Sequence, residues 1–356
     1  MTMRILDRYL GNTVVTTTLL VALILLALFF FIDFVEQLGD VGKGNYGLAQ
    51  ALQYALLIQA RHFYELFPVA ALLGTLLGLG WLASNNELVV IRSAGVSLAQ
   101  ITLSVMKLGA VMILAAMAVG ELLAPLSEQY AQSQRSIALS DRITLKTNYG
   151  FWTRDGQSFI NIRTILPGDR LGDISIHEFD KHYNLRVTTH AERAHYENNA
   201  WRMEGIMQTY VGDNGVTTRR IESAAWESLL SPEIIALVAI KPDKLSVWDL
   251  YRYIGYLRDN GQSAVRYEQA FWGKLVAPVV TAVMMFLAVP FTFGALRAAG
   301  MGQRLLIGSM VGIGFHLFNQ TFTQAGLVYN LNPLLTAVLP AALFFLVAVV
   351  LMRRVH

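Results

Sequence analysis

The sequence contains no cysteine and little charge. Without any cysteine among the 356 residues, disulfides, thiolate metal sites and a cysteine nucleophile are excluded. Lys, Arg, Asp and Glu make up 15% of the chain, whereas hydrophobic residues make up 54%, and the mean hydropathy is +0.44. A soluble domain rarely carries so little charge, so the composition predicts an integral membrane protein. The net charge of +3 is small and the basic residues are scattered, which argues against nucleic-acid binding.

The common motifs of catalysis are also missing. There is no G-x4-G-K-[ST] phosphate loop, and GALRAAGMGQR is interpreted as a positively charged loop. There is no HExxH or G-x-S-x-G motif. His190 and His195 stand five residues apart in a strand pattern and are expected on opposite faces of a sheet. We therefore expect no enzymatic site, no metal and no cofactor, and no ATP hydrolysis by this chain itself.

Six stretches are apolar and long enough to cross a bilayer, which requires about 20 residues each. They lie at roughly 13–36, 60–83, 98–123, 271–293, 304–326 and 333–352. We predict a polytopic α-helical membrane protein in which residues 1–125 hold spans one to three and residues 266–356 hold spans four to six. In span two, Gly74, Gly78 and Gly80 form a seam of small residues that predicts close helix packing.

The part between the spans, residues 126–265, has the hydrophobic alternation of β-strands. Examples are FINIRTI, DISIHEF and WRMEGIMQTYV, and the turn signals RDGQ, LPGD, ENNA and GDNG separate such stretches. The pattern predicts a small antiparallel β-domain, a sandwich or jelly roll. After it, residues 246–259 (SVWDLYRYIGYLRD) are typical of an amphipathic helix that ends at Asn260-Gly261.

Basic residues in the short loops predict the orientation of the spans. One side of the membrane receives Arg4, Arg8, Arg92, Arg297, Arg304, Arg353 and Arg354, whereas the short loops of the other side offer Lys43. We therefore expect both termini in the cytoplasm and the β-domain outside, which in a Gram-negative cell is the periplasm.

Charged residues near the outer ends of spans one and two need a physical reason, because charge within a membrane is costly. They are Asp33, Glu36, Arg61, His62 and Glu65. Each either snorkels to the headgroups or belongs to a charged ring at the outer leaflet. Phenylalanines lie below this level, and those of span five share one helix face. They either pack against lipid and neighbouring helices or line an apolar cavity with a polar rim, which would suit an amphiphile with acyl chains and an anionic head.

The stretch SNNELVVIRSAGVS, residues 84–97, lies between spans two and three on the expected cytoplasmic side. Leu88, Val89, Ile91 and the Ala94-Gly95 end are expected to form one apolar helix face, while Glu87 and Arg92 project elsewhere. Such a helix either lies along the membrane or docks into a groove on a cytosolic ATPase, with Glu87 pairing to a base there.

Several blocks occur in an order that resembles the LptF/LptG family of lipopolysaccharide export permeases. They are LDRYLGNTVV, FPVAALLGTLLGLGWLASNNELVVIRSAGVS, LSVMK, VGELLAP and FGALRAAGMGQRLLIG. The resemblance covers essentially the whole chain, and ELVVIRSAG is its most specific block. The LDRY start and the FGALR…MG-R loop favour the LptG-like branch.

The resemblance implies an ABC-type permease subunit of a Gram-negative inner membrane that has no ATPase site of its own. Such a chain pairs with an LptF-like sister, binds an LptB ATPase dimer through the loop between spans two and three, and carries a periplasmic β-jellyroll. Lipopolysaccharide enters laterally from the outer leaflet between spans one and five and passes to LptC and other periplasmic bridge proteins. On this basis we expect ATPase coupling from Glu87, Leu88, Ile91 and Arg92. Lipid contact is expected from Phe29, Phe30, Arg61, Phe67, Arg135, Phe315, Phe318 and Phe322.

The sequence departs from the family pattern late in span one. Family members often carry a lysine and further basic residues there, which face lipid phosphates, whereas this chain has Asp33, Gly39 and Asp40. Either the phosphate contacts shift to Arg61, Arg135 and the sister chain, or a divalent cation bridges Asp33 and a lipid phosphate.

Two other function classes remain as alternatives. A non-transporting envelope scaffold would explain a periplasmic β-domain that binds a partner, but it would explain neither the charged ring nor the 84–97 stretch. A membrane enzyme that acts on lipid would need a nucleophile, metal or phosphate motif, and the sequence has none that is recognisable.

Overall fold

The computed structural model of the protein describes residues 5–139, 145–166, 170–197, 200–212, 215–226, 232, 235, 241–294 and 299–354. Arg4 and Arg297, which the orientation prediction uses, lie outside the described residues, as do parts of the predicted turns LPGD, ENNA and GDNG. The chain divides into two compact units. The helical unit comprises residues up to 39, 52–130 and from 265 onward, and the second unit comprises residues 40–51 and 131–264.

The helices follow the order that the hydropathy predicts. The first are α1 (Ile5–Leu38), the short α2 (Leu48–Leu57), α3 (Gln59–Ser84) and the seven-residue α4 (Glu87–Ser93). Next comes α5 (Leu98–Ala118), which continues through a π-helical turn (Val119–Leu123) into α6 (Ala124–Leu139). The later helices are α7 (Val247–Asp259), α8 (Val265–Phe293), α9 (Met301–Val328) and α10 (Pro333–Arg354). Within the described part of the chain, six helices are long and apolar enough to cross a membrane, which confirms the predicted number of spans.

The third spanning helix is longer than the sequence predicts. Leu98–Leu139 is one continuous helix of 42 residues, which corresponds to about 60 Å at 1.5 Å per residue. Because the hydrocarbon core is about 30 Å thick, part of this helix lies beyond the membrane. The predicted end at residue 123 marks the end of the apolar run, but residues such as Glu128 and Gln132 continue the helix because they are good helix formers.

The central helix of the helical unit is α3, which packs against α1, α8 and α9. The small-residue seam explains this packing. A Cβ on Gly74 would meet the backbone of Thr18 in α1, a Cβ on Gly78 would lie 2.7 Å from Thr17 Oγ1, and a Cβ on Gly80 would meet Arg304 in α9. Thr17 Oγ1 also donates a hydrogen bond to the Gly74 carbonyl at 2.7 Å. The predicted close packing of the glycine seam is therefore confirmed.

Three spanning helices, α1, α9 and α10, bury little of their surface within this chain. Large apolar side chains point outward from each of them, including Leu23, Met310 and Leu346. In a membrane, outward apolar side chains on a spanning helix face lipid tails or the helices of another subunit, both of which are apolar. The unit therefore offers extensive apolar surface on three of its spans.

The second unit contains one antiparallel sheet in which each strand pairs with its neighbours in the chain. The strands are β1 (Leu145–Asp155), β2 (Ser158–Leu166), β3 (Arg170–Phe179), β4 (Leu185–Glu197), β5 (Ala200–Gly212) and β6 (Gly215–Trp226). Alternate side chains such as Ile160, Ile174 and Ala191 are buried, which explains the alternation in the sequence. The inserted β-domain that the sequence predicts is confirmed, and the described strands form a meander.

The amphipathic helix predicted at residues 246–259 is α7. Ser246 caps its N-terminus by accepting a hydrogen bond from the Asp249 backbone N–H, at 3.1 Å. Its apolar face, which includes Leu250, Ile254 and Leu257, is buried. The helix ends at Asp259 and a turn follows at Asn260-Gly261, as predicted.

Candidate functional site

The 84–97 stretch forms the short helix α4 between α3 and α5. Asn86 precedes it in the left-handed region, with φ of 60°, and Asn tolerates this conformation better than most residues. Leu88 is buried and Ile91 partly buried against the core that Leu82 and Leu98 also line. Val89 and Val90 instead point outward, with Val90 65% exposed. The helix is thus held to the spans by Leu88 and Ile91 and presents valines to its surroundings.

This arrangement divides the predicted apolar face in two. Leu88 and Ile91 contact the chain's own core, whereas Val89, Val90 and Arg92 are exposed. The sequence could not distinguish these sides, because a seven-residue helix makes only two turns. Val90 is the outward residue that the sequence analysis missed.

The acidic residue of α4 has a partner near the start of α1. Tyr9 Oη donates a hydrogen bond to Glu87 Oε2 at 2.7 Å. Two residues earlier in α1, Asp7 accepts a hydrogen bond from Ser104 Oγ and forms an ion pair with Lys107 Nζ at 3.1 Å. The LDRY block therefore connects the first turns of α1 to both α4 and α5. Lys107, which lies within the apolar run of the third span, is thus an ion-pair partner of Asp7.

A charged cluster joins the later part of α1 to α3 and α6. We call Asp33, Arg61, His62, Glu65 and Glu128 the Asp33 cluster. His62 Nε2 lies 2.9 Å from Asp33 Oδ2, and Arg61 lies 3.5 Å from Glu128 Oε2 and 3.6 Å from Glu65 Oε1. Gln59 Nε2 donates a hydrogen bond to Asp33 Oδ2 at 3.2 Å. Four of the five residues of the predicted charged ring, Asp33, Arg61, His62 and Glu65, thus contact one another within the chain.

The burial of this cluster matters for its chemistry. Glu128 is nearly fully buried, and the ring of Phe29 lies 5.0 Å from that of His62. Low surrounding polarity strengthens each charge contact, so Arg61 is held by Glu65 and Glu128. Sequence reasoning missed Glu128 because it stands 67 residues after Arg61, beyond the apolar run of the third span.

The second candidate phosphate ligand, Arg135, belongs to a separate contact in the other unit. Arg135 Nη2 donates to Asp40 Oδ2 at 2.6 Å, and Lys43 Nζ donates to Asp40 Oδ1 at 2.6 Å. Hydrogen bonds from Lys43 and Arg135 lower the pKa of the Asp40 carboxyl below its ordinary value. Two cations therefore converge on one acid.

The candidate phenylalanines occupy different environments. Phe67 and Phe315 are almost fully buried, the first with Met112 and Ile113 and the second against the ring of Phe344. Phe318 is 38% exposed and stacks on Phe322, with ring centroids 5.8 Å apart. Phe318 is therefore accessible from outside the chain, whereas Phe67 and Phe315 would become accessible only if the helices separated.

The candidates of span one are also distinct from one another. Phe30 stacks on Phe34 with centroids 6.2 Å apart, while Phe29 lies beside His62. The predicted six phenylalanines therefore do not line one closed cavity within this chain. They form separate groups on α1, α3 and α9.

A further ion pair lies between the third and fourth spanning helices. Lys274 Nζ is 3.1 Å from Glu121 Oε1 and 5.6 Å from the centre of the Tyr64 ring. Glu121 belongs to the π-helical turn, and Gly120 of the same turn leaves room for the Tyr64 ring. Such turns are frequent at functional positions of helices. No sequence pattern predicts this pair, because its members stand far apart in the chain.

The described residues contain no group of three or more His, Cys, Asp or Glu side chains arranged to hold a metal ion. The ion pairs and hydrogen bonds described above instead connect helices to one another. Together, the six spans, the inserted antiparallel β-domain and the short helix between spans two and three define a multi-pass membrane protein with an extramembranous β-domain.

Comparison with known proteins identifies the family. Residues 8–354 match the family described as lipopolysaccharide export system permease LptF/LptG. The chain is 38% identical over 353 residues to the lipopolysaccharide export system permease protein LptG of Escherichia coli K12, covering 98% of both chains. It is 36% identical over 351 residues to the LptG protein of Haemophilus influenzae, again covering 98% of both chains. The chain belongs to the LptF/LptG family.

Proposed function

We propose that this chain is the permease subunit of an ABC-type lipopolysaccharide extractor. It takes the lipid laterally from the outer leaflet of the inner membrane and passes it to a periplasmic bridge, which carries it toward the outer membrane. The observation that carries the proposal is the full-length match to a permease family whose relatives bear the LptG name. Assembly involves an LptF-like sister permease, an LptB ATPase dimer and LptC.

The exposed apolar surfaces of α1 and α9 support a lateral lipid route. Phe30 on α1 and the stacked Phe318 and Phe322 on α9 would contact acyl chains, since aromatic and aliphatic groups pack without a polar cost. Phe29, Phe67 and Phe315 would join them when the helices move apart. The acyl chains would thus contact the exposed phenylalanines first and the buried ones after the helices separate.

The head group would lie above these phenylalanines, near the basic residues. Arg61 and Arg135 already bind carboxylates, so a phosphate would replace Glu65 or Glu128 at Arg61 and Asp40 at Arg135. Arginine suits this exchange because its planar guanidinium binds carboxylate and phosphate in similar geometry. The Asp33 carboxylate already contacts His62 and Gln59 within the chain. This favours a shift of the phosphate contacts to Arg61 and Arg135 over a divalent cation that bridges Asp33 and a phosphate.

The ATPase would bind at α4 on the cytoplasmic side. Val89, Val90 and Arg92 offer an exposed helix surface, while Leu88 and Ile91 transmit its movement to the spans because they are packed into the core. Glu87 would pair with a base on the ATPase. In this orientation both termini lie in the cytoplasm and the β-domain lies in the periplasm.

Co-purification tests the proposal. The chain is expressed with an LptF-like sister and an LptB-like ATPase, and ATP hydrolysis is measured in liposomes with and without lipopolysaccharide. We expect a stable complex whose hydrolysis responds to the lipid. A chain that purifies alone and ignores lipopolysaccharide would contradict the proposal and favour a scaffold whose β-domain binds a periplasmic partner.

A further inference from the structure

A buried arginine connects the end of α3 to the start of α9. Arg304 is 1% exposed, although its place in the sequence suggests a residue of a positively charged loop. Its Nη1 donates hydrogen bonds to the Gly80 carbonyl and, at 3.1 Å, to Ser84 Oγ. The burial of a guanidinium is costly unless its donors are used, so this position requires its partners.

The partners are in the last turns of α3. Carbonyls at a helix C-terminus carry partial negative charge, so a cation there is stabilised. Gly80 is required for the approach, because a Cβ at that position would lie 2.6 Å from Arg304 Nη1 and 2.8 Å from Cδ. Ser84 Oγ also donates to the Gly80 carbonyl at 2.8 Å, which makes this oxygen the centre of the contact.

The contact lies next to the proposed ATPase-binding helix. Ser84 is the last residue of α3, and α4 begins at Glu87 after Asn85 and Asn86. Arg304 is in the first turn of α9, the helix that carries Phe318 and Phe322. The hydrogen bonds of Arg304 to Gly80 and Ser84 therefore connect α9 to the end of α3. From Ser84 the chain reaches α4 at Glu87 within three residues, so α9 and α4 are closely connected.

We infer that Arg304 is a positioning residue that couples movement of α4 to movement of α9. It touches neither nucleotide nor lipid. When the ATPase displaces α4, the end of α3 moves with it, and the guanidinium transfers this displacement to α9 through two hydrogen bonds. The inference rests on the proposed function, because it assigns a role to a contact within that transporter.

The test uses the complete complex in liposomes with lipopolysaccharide. Arg304→Gln removes the charge, and Gly80→Ala displaces the guanidinium while leaving it charged. Gly314→Ala is the matched control, because a Cβ at Gly314 in α9 meets nothing within 4 Å. We measure the amount of ATPase that co-purifies and the ratio of lipid-stimulated to basal hydrolysis.

We expect Arg304→Gln and Gly80→Ala to assemble with the ATPase but to lose at least threefold in the stimulation ratio, whereas Gly314→Ala keeps the wild-type ratio. Arg304→Lys retains the charge with a single donor group, so its stimulation ratio should lie between those of the wild type and Arg304→Gln. A wild-type ratio in Gly80→Ala or Arg304→Gln overturns the inference. If both variants fail to assemble with the ATPase, the contact serves folding alone, and the inference is overturned as well. If the unmodified complex itself ignores lipopolysaccharide, the proposed function fails instead.

Discussion

Tyr9 Oη and Glu87 Oε2 lie 2.7 Å apart, although the two residues are separated by 78 positions in the sequence. The hydrogen bond places the carboxylate of α4 against the first turns of α1. A carboxylate held in this way is oriented before any partner binds, which lowers the entropic cost of docking.

Glu87→Ala should weaken assembly with the ATPase about tenfold, equivalent to ~1.4 kcal/mol, because it removes the charge that would pair with a base on the partner. Tyr9→Phe removes only the hydroxyl that orients the carboxylate. It should therefore weaken assembly less than Glu87→Ala does. The amount of ATPase that co-purifies with each variant measures the effect. Normal co-purification and normal export by Glu87→Ala would contradict this role.

Phe318→Ala should reduce the stimulation of ATP hydrolysis by lipopolysaccharide while leaving thermal stability nearly unchanged, because Phe318 is partly exposed. Phe67→Ala should lower both the stimulation of ATP hydrolysis and the thermal stability, because Phe67 is buried. Loss of a buried phenylalanine costs about 3–5 kcal/mol in soluble proteins, and in a membrane the cavity part of that cost remains. Melting of the purified complex and the stimulation ratio separate the two cases. Unchanged stimulation in Phe318→Ala would remove this residue from the lipid route.

Gly74→Ala should destabilise the helical unit, because the added Cβ would collide with the backbone of Thr18 and push α1 away from α3. Overpacking of this kind costs about 1–3 kcal/mol. Gly273→Ala serves as the control, since a Cβ there meets nothing within 4 Å. Thermal unfolding in detergent gives the comparison, and equal melting temperatures for both variants would show that the seam tolerates a methyl group.

Asp33→Asn should lower the free energy of unfolding by about 1.5–3 kcal/mol, because it removes the charge from the ion-pair contact with His62 and from the hydrogen bond that Gln59 donates. Export should continue if phosphate contacts lie at Arg61 and Arg135. Cell growth and thermal unfolding test the two parts. Loss of export at unchanged stability would instead support a divalent cation between Asp33 and phosphate.

The Asp40 contacts predict a pH dependence. Hydrogen bonds from Lys43 and Arg135 hold the pKa of the Asp40 carboxyl below its ordinary value, so the folded state favours its charged form. The stabilisation is therefore complete above the ordinary pKa and is lost as the pH falls through the lower folded value. The difference in melting temperature between the wild type and Asp40→Asn should be constant above about pH 5 and should shrink as the pH falls below the ordinary pKa of an aspartate. A difference that persists at low pH would contradict the ion-pair account.

The sequence predicted the spans and the β-domain because both depend on local patterns. Twenty apolar residues indicate a span whatever surrounds them, and the alternation around Ile160 and Ile174 indicates a strand with one buried face. The extension of the third helix to Leu139 was not predicted, because hydropathy marks the apolar part of a helix and not its end.

The candidate site was predicted less completely, because its contacts join distant parts of the chain. The acid Glu87 was evident, but its partner Tyr9 was not. Arg304 was assigned to a positively charged loop, since burial of an arginine against a carbonyl and a hydroxyl leaves no pattern in the sequence. Likewise, Phe67 and Phe318 are the same residue type on spanning helices, and only their packing distinguishes them.

The central claim is that lipopolysaccharide passes along this chain in an ATP-dependent manner. The most direct measurement replaces Phe318 with a photo-crosslinking phenylalanine analogue in the assembled complex, with Phe345 on the outward side of α10 as the matched control position. Cross-linking to lipopolysaccharide is measured in liposomes before and after ATP addition. The account predicts a cross-link at position 318 that ATP changes at least twofold and a signal at position 345 that ATP leaves unchanged. Equal signals at both positions, unaffected by ATP, would contradict it.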